Sequence, residues 1–265
     1  MEILGYFCAV IIGLVLGLIG GGGSILSVPV FVYIFKFDAV TATTLSLFVV
    51  GVTSSVGSIN FMKRKIIDYR VALLFGIPSV LGILFSRRLV LPHLPHYIIN
   101  RFGITLTKEI FIILLFAILM LVSSIKMIRK TERQRVRNFE KPNYTLLVSQ
   151  GILVGIVTGF VGAGGGFLIV PALVMLLGIS MKEAVGTSLF IISFNSLIGF
   201  ASSLDKVPIN WQFLLIFTAL SVVGIIVGVY FSKKIESTKL KPIFGWVVLV
   251  MGIWIIINEL ILKGY

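Results

Sequence analysis

Gly20-Gly21-Gly22-Gly23-Ser24 interrupts an apolar run that carries no charge from Ile3 to Phe35. An unbroken helix of that run would be roughly 50 Å long at about 1.5 Å per residue. That is too long for one crossing of a hydrocarbon core about 30 Å thick, and too short for two crossings with a turn. Each glycine costs a helix about 1 kcal/mol relative to alanine, so four in succession predict a break. The reading that follows is two half-length helices meeting at a glycine tip inside a membrane. A broken backbone at that depth needs protein or a wet cavity around it, so the tip is a candidate substrate site.

The same device returns. Gly162-Ala163-Gly164-Gly165-Gly166 interrupts a second uncharged run, Pro142 to Met181. At a constant offset of 142 residues, Gly13, Gly17, Gly20, Gly22, Gly23 and Pro29 fall on Gly155, Gly159, Gly162, Gly164, Gly165 and Pro171. The register continues without a gap: Ala42, Ser46, Leu47, Phe48, Ser54 and Gly57 fall on Ala184, Ser188, Leu189, Phe190, Ser196 and Gly199, and Gly82 on Gly224. This predicts an internal duplication, with residues 1–128 as a first repeat, 129–142 as a basic linker and 143–265 as a second repeat. Repeated halves with interrupted apolar segments at matching positions are the sequence mark of a secondary transporter.

Outward from the tips, hydrophobic residues make up 58% of the chain and charged residues 12%. Soluble domains carry about a quarter charged residues. The apolar runs are continuous and do not alternate with period two, which excludes a soluble domain and a membrane barrel. The fold class is therefore all-α: a polytopic membrane protein of two inverted repeats, each a glycine-broken hairpin plus about three transmembrane helices. The net charge of +13 sits in the short connections, where it sets topology and meets lipid headgroups; no nucleic-acid partner is expected. If each glycine unit enters and leaves on one side, Lys and Arg gather on the side of the linker. The positive-inside rule then makes that linker cytoplasmic and both termini external.

Ala39 to Met62 is a full span rich in hydroxyls. Each hydroxyl alone bonds back to its own helix, but as a set they line something wet. Val71 to Ser86 follows, with Gly76, Pro78 and Gly82 as kinking positions and Arg87-Arg88 as its end. Gly5, Gly13 and Gly17 share a face of the first arm, which predicts close packing on another helix. Pro92-His93-Leu94-Pro95-His96 holds both histidines, with no acid or cysteine beside them, and the one cysteine, Cys8, reads as an apolar helix residue. Neither a metal site nor a cofactor is expected. The Met1 to Gly5 start has no basic region or small-residue cleavage site, so the first segment reads as retained.

The helical arms after the tips start near Ser24 and Gly166 with their N-termini in the membrane. Such ends present free N–H groups and a positive dipole, and two opposed ends favour a small anion. The candidate substrate-binding residues are Gly20, Gly21, Gly22, Gly23 and Ser24, with Thr43, Thr44 and Ser46 from the following span. The second half contributes Gly162, Gly164, Gly165 and Gly166, with Thr187, Ser188 and Asn195. Two half-charges match one negative charge, so a monoanion is expected to fit best. No span carries an ionisable group at its middle. Nor does any span offer a nucleophile–base arrangement, so no enzyme is expected.

At these residues the chain resembles the sulfite exporter TauE/SafE family of membrane permeases. The resemblance rests on the run Gly17 to Pro29, its copy Gly159 to Pro171, and Ala184-Val-Gly-Thr-Ser-Leu-Phe190. It implies a permease of the prokaryotic cytoplasmic membrane that moves sulfite, thiosulfate or organosulfonates. An anion channel, or a permease for a non-sulfur organic anion, are the alternatives. The first copy has Ser24 where the second has Gly166, and Thr44 where it has Gly186, so unequal half-sites are expected.

Overall fold

The computed structural model describes residues 2–95, 97–101, 104–128, 144–177, 179–232 and 237–259. The linker assigned to residues 129–142 lies outside them, as does His96. The chain is an almost entirely helical, multi-pass membrane protein. Among the described residues, six helices are long and apolar enough to cross a membrane: Ala39–Lys63, Tyr69–His93, Lys108–Ile125, Tyr144–Val161, Lys182–Ala201 and Trp211–Phe231.

The first hairpin is α1 (Glu2–Ile19), a tight helical turn (Gly21–Leu26), α2 (Ser27–Pro29) and a wider turn (Val30–Ile34). A side chain on Gly5 would strike the ring of Phe35, so the start of the outgoing arm lies beside the end of the returning one. The chain therefore doubles back at the glycines. Its outgoing arm has 18 residues, about 27 Å, and is longer than the half-length predicted: nothing in Ile3 to Ile19 stops the helix before the glycines do. The second hairpin is α7 (Tyr144–Val161) and α8 (Gly166–Leu177).

After the first hairpin come α3 (Ala39–Lys63) and α4 (Tyr69–Leu84). Helix α4 does not end at Arg87 as predicted. A π-helical turn (Phe85–Val90) and α5 (Leu91–His93) extend it, which places Arg87 within the span. A small antiparallel hairpin, β1 (Tyr97–Arg101) with β2 (Ile104–Thr107), was not anticipated and is the one departure from an all-helical fold among the described residues. Helices α6 (Lys108–Ile128), α9 (Met181–Ala201), α10 (Trp211–Phe231) and α11 (Ser237–Ile257) complete the chain.

Matching caps start matching helices. Asp38 accepts from the Thr41 N–H ahead of α3, and at the same place in the other half Ser180 and Glu183 form a capping box ahead of α9. Asp68 caps α4 and Asn210, its counterpart, caps α10. These side chains satisfy helix-end N–H groups that would otherwise be unpaired.

Each hairpin packs on the other half. A Cβ on Gly13 of α1 would meet Ser221 O of α10 at 1.9 Å, and one on Gly17 would meet the Gly228 backbone at 2.9 Å. A Cβ on Gly155 of α7 would meet Ser79 O of α4 at 2.0 Å, and Gly159 abuts Ser86. The pairs Gly13–Ser221 and Gly155–Ser79 interchange under the 142-residue offset. Glycine at four-residue spacing lets the backbones touch, and packing of this kind holds membrane helices together. Between the halves, α3 crosses α9 with Leu47 against Gly199 and Gly57 against Leu189, so the two run antiparallel. An aromatic cluster closes the base of the first hairpin, with Phe31 on Phe217 at 4.8 Å and Phe35 on Phe213 at 4.7 Å between ring centroids.

Candidate functional site

The two tips meet. A Cβ built on Gly21 would lie 2.1 Å from Gly166 Cα, and one on Gly166 would lie 2.2 Å from Gly21 Cα. Backbone touches backbone there, which only glycine permits. The tips are not alike. The first is a helical turn from Gly21 with Gly20 alone at positive φ, 78°. The second turns through Gly162, Gly164 and Gly165 at φ 70°, 66° and 69°.

Protein atoms fill the space beside most tip glycines. Gly20 faces the Val185 side chain, Gly23 the backbone of Leu16, Gly162 the backbone and side chain of Thr43, and Gly164 the Ser196 hydroxyl with Val50. Gly165 faces the Thr158 hydroxyl. Gly22 lies in the first turn.

The hydroxyls divide into two groups. At the first tip they are paired: Ser24 Oγ donates to Gly21 O at 2.7 Å, Ser27 Oγ donates to Ser24 O, and Ser27 also bonds Ser46 Oγ. Thr43 and Thr44 donate to Val40 O, and Ser188 to Val185 O. Thr187 accepts from the Asp68 N–H and so fixes the start of α4. Buried groups without partners among the described residues are Thr158 Oγ1 and Ser196 Oγ, which face Gly165 and Gly164 of the second tip, together with Asn195 Oδ1 and Ser54 Oγ. Ser54 and Ser196 are counterparts under the offset. Asn195 Nδ2 donates to Ser79 Oγ at 2.7 Å. Its side also lines an apolar groove of about 310 Å³ between α4 and α9, with Ala72, Gly76, Phe190 and Phe194.

The structure thus brings Gly21 and Gly166 together, with Val185 over Gly20 and Thr43 against Gly162, whereas Thr187 stands at the start of α4 beside Asp68 and Thr44 bonds Arg87. It adds two features that sequence reading missed. The first is Arg87, fully buried, whose Nη1 donates to Thr44 Oγ1 at 2.8 Å and to Ser203 Oγ at 3.3 Å. The continuation of α4 through a π-turn hid it, because Arg-Arg after an apolar stretch reads as a span end. The second is a cavity of about 300 Å³ lined by Leu18, Phe61, Arg64, Lys182, Val185 and Ser232. Val185 in its wall is the side chain over Gly20. Lys206 is the counterpart of Arg64, and its Nζ donates to Arg87 O at 2.8 Å. Burial, together with Arg87, Arg88 and Lys108, holds the Lys206 ammonium below its ordinary pKa of 10.5, while Asp205 opposes them. No group of three potential metal ligands occurs among the described residues.

The chain matches the family described as sulfite exporter TauE/SafE over residues 5–255. It is 29% identical to the probable membrane transporter protein YunE of Bacillus subtilis, over 94% of this chain and 96% of that one. It is 27% identical to a probable membrane transporter protein of Xylella fastidiosa, over 93% and 91%. It is 23% identical to one from Methanocaldococcus jannaschii, over 94% of each. No solved structure matches.

Proposed function

The chain belongs to the sulfite exporter TauE/SafE family, and from that premise we propose a secondary transporter for a small anion, a sulfur oxyanion or organosulfonate such as sulfite, across the cytoplasmic membrane. It is a membrane transporter and not an enzyme in this reading. The observation that carries the anion is the junction itself. Two broken hairpins from repeated halves meet at Gly21 and Gly166, with the start of α8 and the helical turn after Gly20 at that contact. Helix starts favour negative charge. Hydroxyls without partners at Thr158 and Ser196 add neutral donors. Antiparallel α3 and α9, with the exchanged packing of the hairpins, support inverted repeats, and inverted repeats support alternating access about the junction. The substrate-binding set predicted from sequence is carried forward within this proposal.

The test is a flux screen in liposomes over sulfite, thiosulfate, sulfonates and carboxylates. Saturable uptake of a sulfur anion by the purified chain is expected. Saturable uptake of carboxylates alone overturns the sulfur assignment, and steady current through a planar bilayer overturns the carrier.

A further inference from the structure

We propose that Arg87 is an anion-binding residue of the transport route, gripping two oxygens of an oxyanion through the free edge of its guanidinium. The proposal rests on the permease reading for the identity of the ligand, and on the geometry at Arg87 for the site.

Arg87 has no accessible surface, yet it forms no ion pair among the described residues. Arginine stays charged in proteins, and a buried charge without a counter-charge is strongly unfavourable. The charged groups around it do not relieve this. Lys206 touches the Arg87 carbonyl and feels Arg87, Arg88 and Lys108 as like charges, with Asp205 the one acid acting on it. One buried, unpaired cation with the exposed Arg88 and Lys206 nearby favours an anion that arrives from outside the chain.

The hydrogen bonds show which edge is on offer. Nη1 is held by Thr44 Oγ1 and Ser203 Oγ. Both hydroxyls are themselves fixed, Thr44 donating to Val40 O and Ser203 to Gly199 O. They accept from Arg87 and set its plane. Nε and Nη2 have no partner. Those two atoms form the side-on edge of the fork, which matches a pair of oxygens on one oxyanion. A single-atom anion can bridge both donors only with bent hydrogen bonds.

The position also fits the route. Thr44 adjoins Thr43, which lies against Gly162 at the second tip. Arg87 itself sits in a π-turn, a distortion that recurs at functional sites. At the first tip the corresponding place is the open cavity with Arg64 and Lys182. Ser203 and Lys206 are the counterparts of Phe61 and Arg64 in its wall. Arg87 therefore stands where the second half's entrance is expected.

The experiment uses the purified full chain in detergent with a Tris chloride background. Binding of sulfite, methanesulfonate and acetate is measured by calorimetry, with melting temperature as a second readout. Wild type should bind two-oxygen anions over the chloride background. Arg87→Met should weaken binding roughly ten- to hundredfold, the range of a lost charge-assisted pair. Its anion-free melting temperature should stay level or rise, because an unpaired buried charge has gone. Arg87→Lys keeps the charge without the fork and should fall between. Unchanged affinity in Arg87→Met, or in Arg87→Lys should the methionine variant not accumulate, overturns the proposal. So does a lower anion-free melting temperature in Arg87→Met with wild-type affinity retained, which would mark a structural role. Liposome flux separates this from the parent reading. Binding that depends on Arg87 without flux removes the permease and keeps the site; flux indifferent to Arg87 does the reverse. A wild type that neither binds nor moves an anion removes both.

Discussion

Gly164 combines a left-handed backbone, φ 66°, with a Cβ position 2.7 Å from Ser196 Oγ. From sequence, Gly164→Val or Gly22→Val should yield a folded protein without transport. The structure adds a cost at Gly164. At Gly164 any side chain is strained, and a β-branched one most of all, so Gly164→Val should lower yield and melting temperature as well as flux. A folded, wild-type-stable Gly164→Val would contradict the tip geometry. Charge gives a second residue-scale outcome. Sequence reading counted two helix ends, about half a charge each, and expected a monoanion. On the proposal that Arg87 grips the same anion during its passage, its full charge suits a divalent oxyanion, and wild-type sulfite flux should not climb as pH falls from about 8 to 6. In Arg87→Met it should climb, as the monoanion becomes the better match. Lys206 acts at the alkaline end. Its pKa is lowered below 10.5, so its charge is lost earlier than that of an unfolded lysine as pH rises. Anion affinity should fall through that window, and Lys206→Met should flatten the fall. The fold binds fewer protons than the unfolded chain there, so the same shift makes stability rise with pH. The chain reversal at the tips was legible because consecutive glycines in an apolar run break a helix. Arg87 was not, because only the π-turn after Leu84 turns a flanking residue inward.

Helix pairing was legible from small-residue spacing, though not the partner. Gly13 and Gly17 announced a close neighbour; that the neighbour is α10 of the other half follows only from the folded chain. The offset then says that α7 on α4 repeats the arrangement, and Gly155 against Ser79 does so. Gly13→Leu and Gly155→Leu should therefore destabilise alike. Each drives a side chain into a carbonyl about 2 Å away, and overpacking costs about 1–3 kcal/mol or more. Thermal melting in detergent should show both variants well below wild type. Gly76→Leu is the control, since its Cβ position has only Ile191 side-chain atoms at 3.8 Å. The β1–β2 hairpin was not legible. Tyr97 to Thr107 lacks a clean alternating pattern, and the prolines before it argue against a helix, although α5 in fact runs through Pro92 to His93.

At the scale of the molecule, the duplication predicts two related halves, and the contacts support the proposal that they are inverted. If the halves were related by an axis along the membrane normal, α3 and α9 would run the same way. They run oppositely: Leu47 lies by Gly199 while Gly57 lies by Leu189. Exchanged hairpins reinforce this, since α1 runs parallel to α10 and α7 parallel to α4, as an axis in the membrane plane requires. Paired cysteines decide between the two arrangements in a chain with Cys8 replaced. Leu47→Cys with Gly199→Cys, and Gly57→Cys with Leu189→Cys, should each cross-link under mild oxidation in membranes. Leu47→Cys with Leu189→Cys should not, because those residues face opposite ends of the crossing. Cross-linking confined to the Leu47–Leu189 pair would reverse the relation of the halves. The tips would then open to the same side, and two hairpins meeting at Gly21 and Gly166 could not serve as one site reached alternately from two faces.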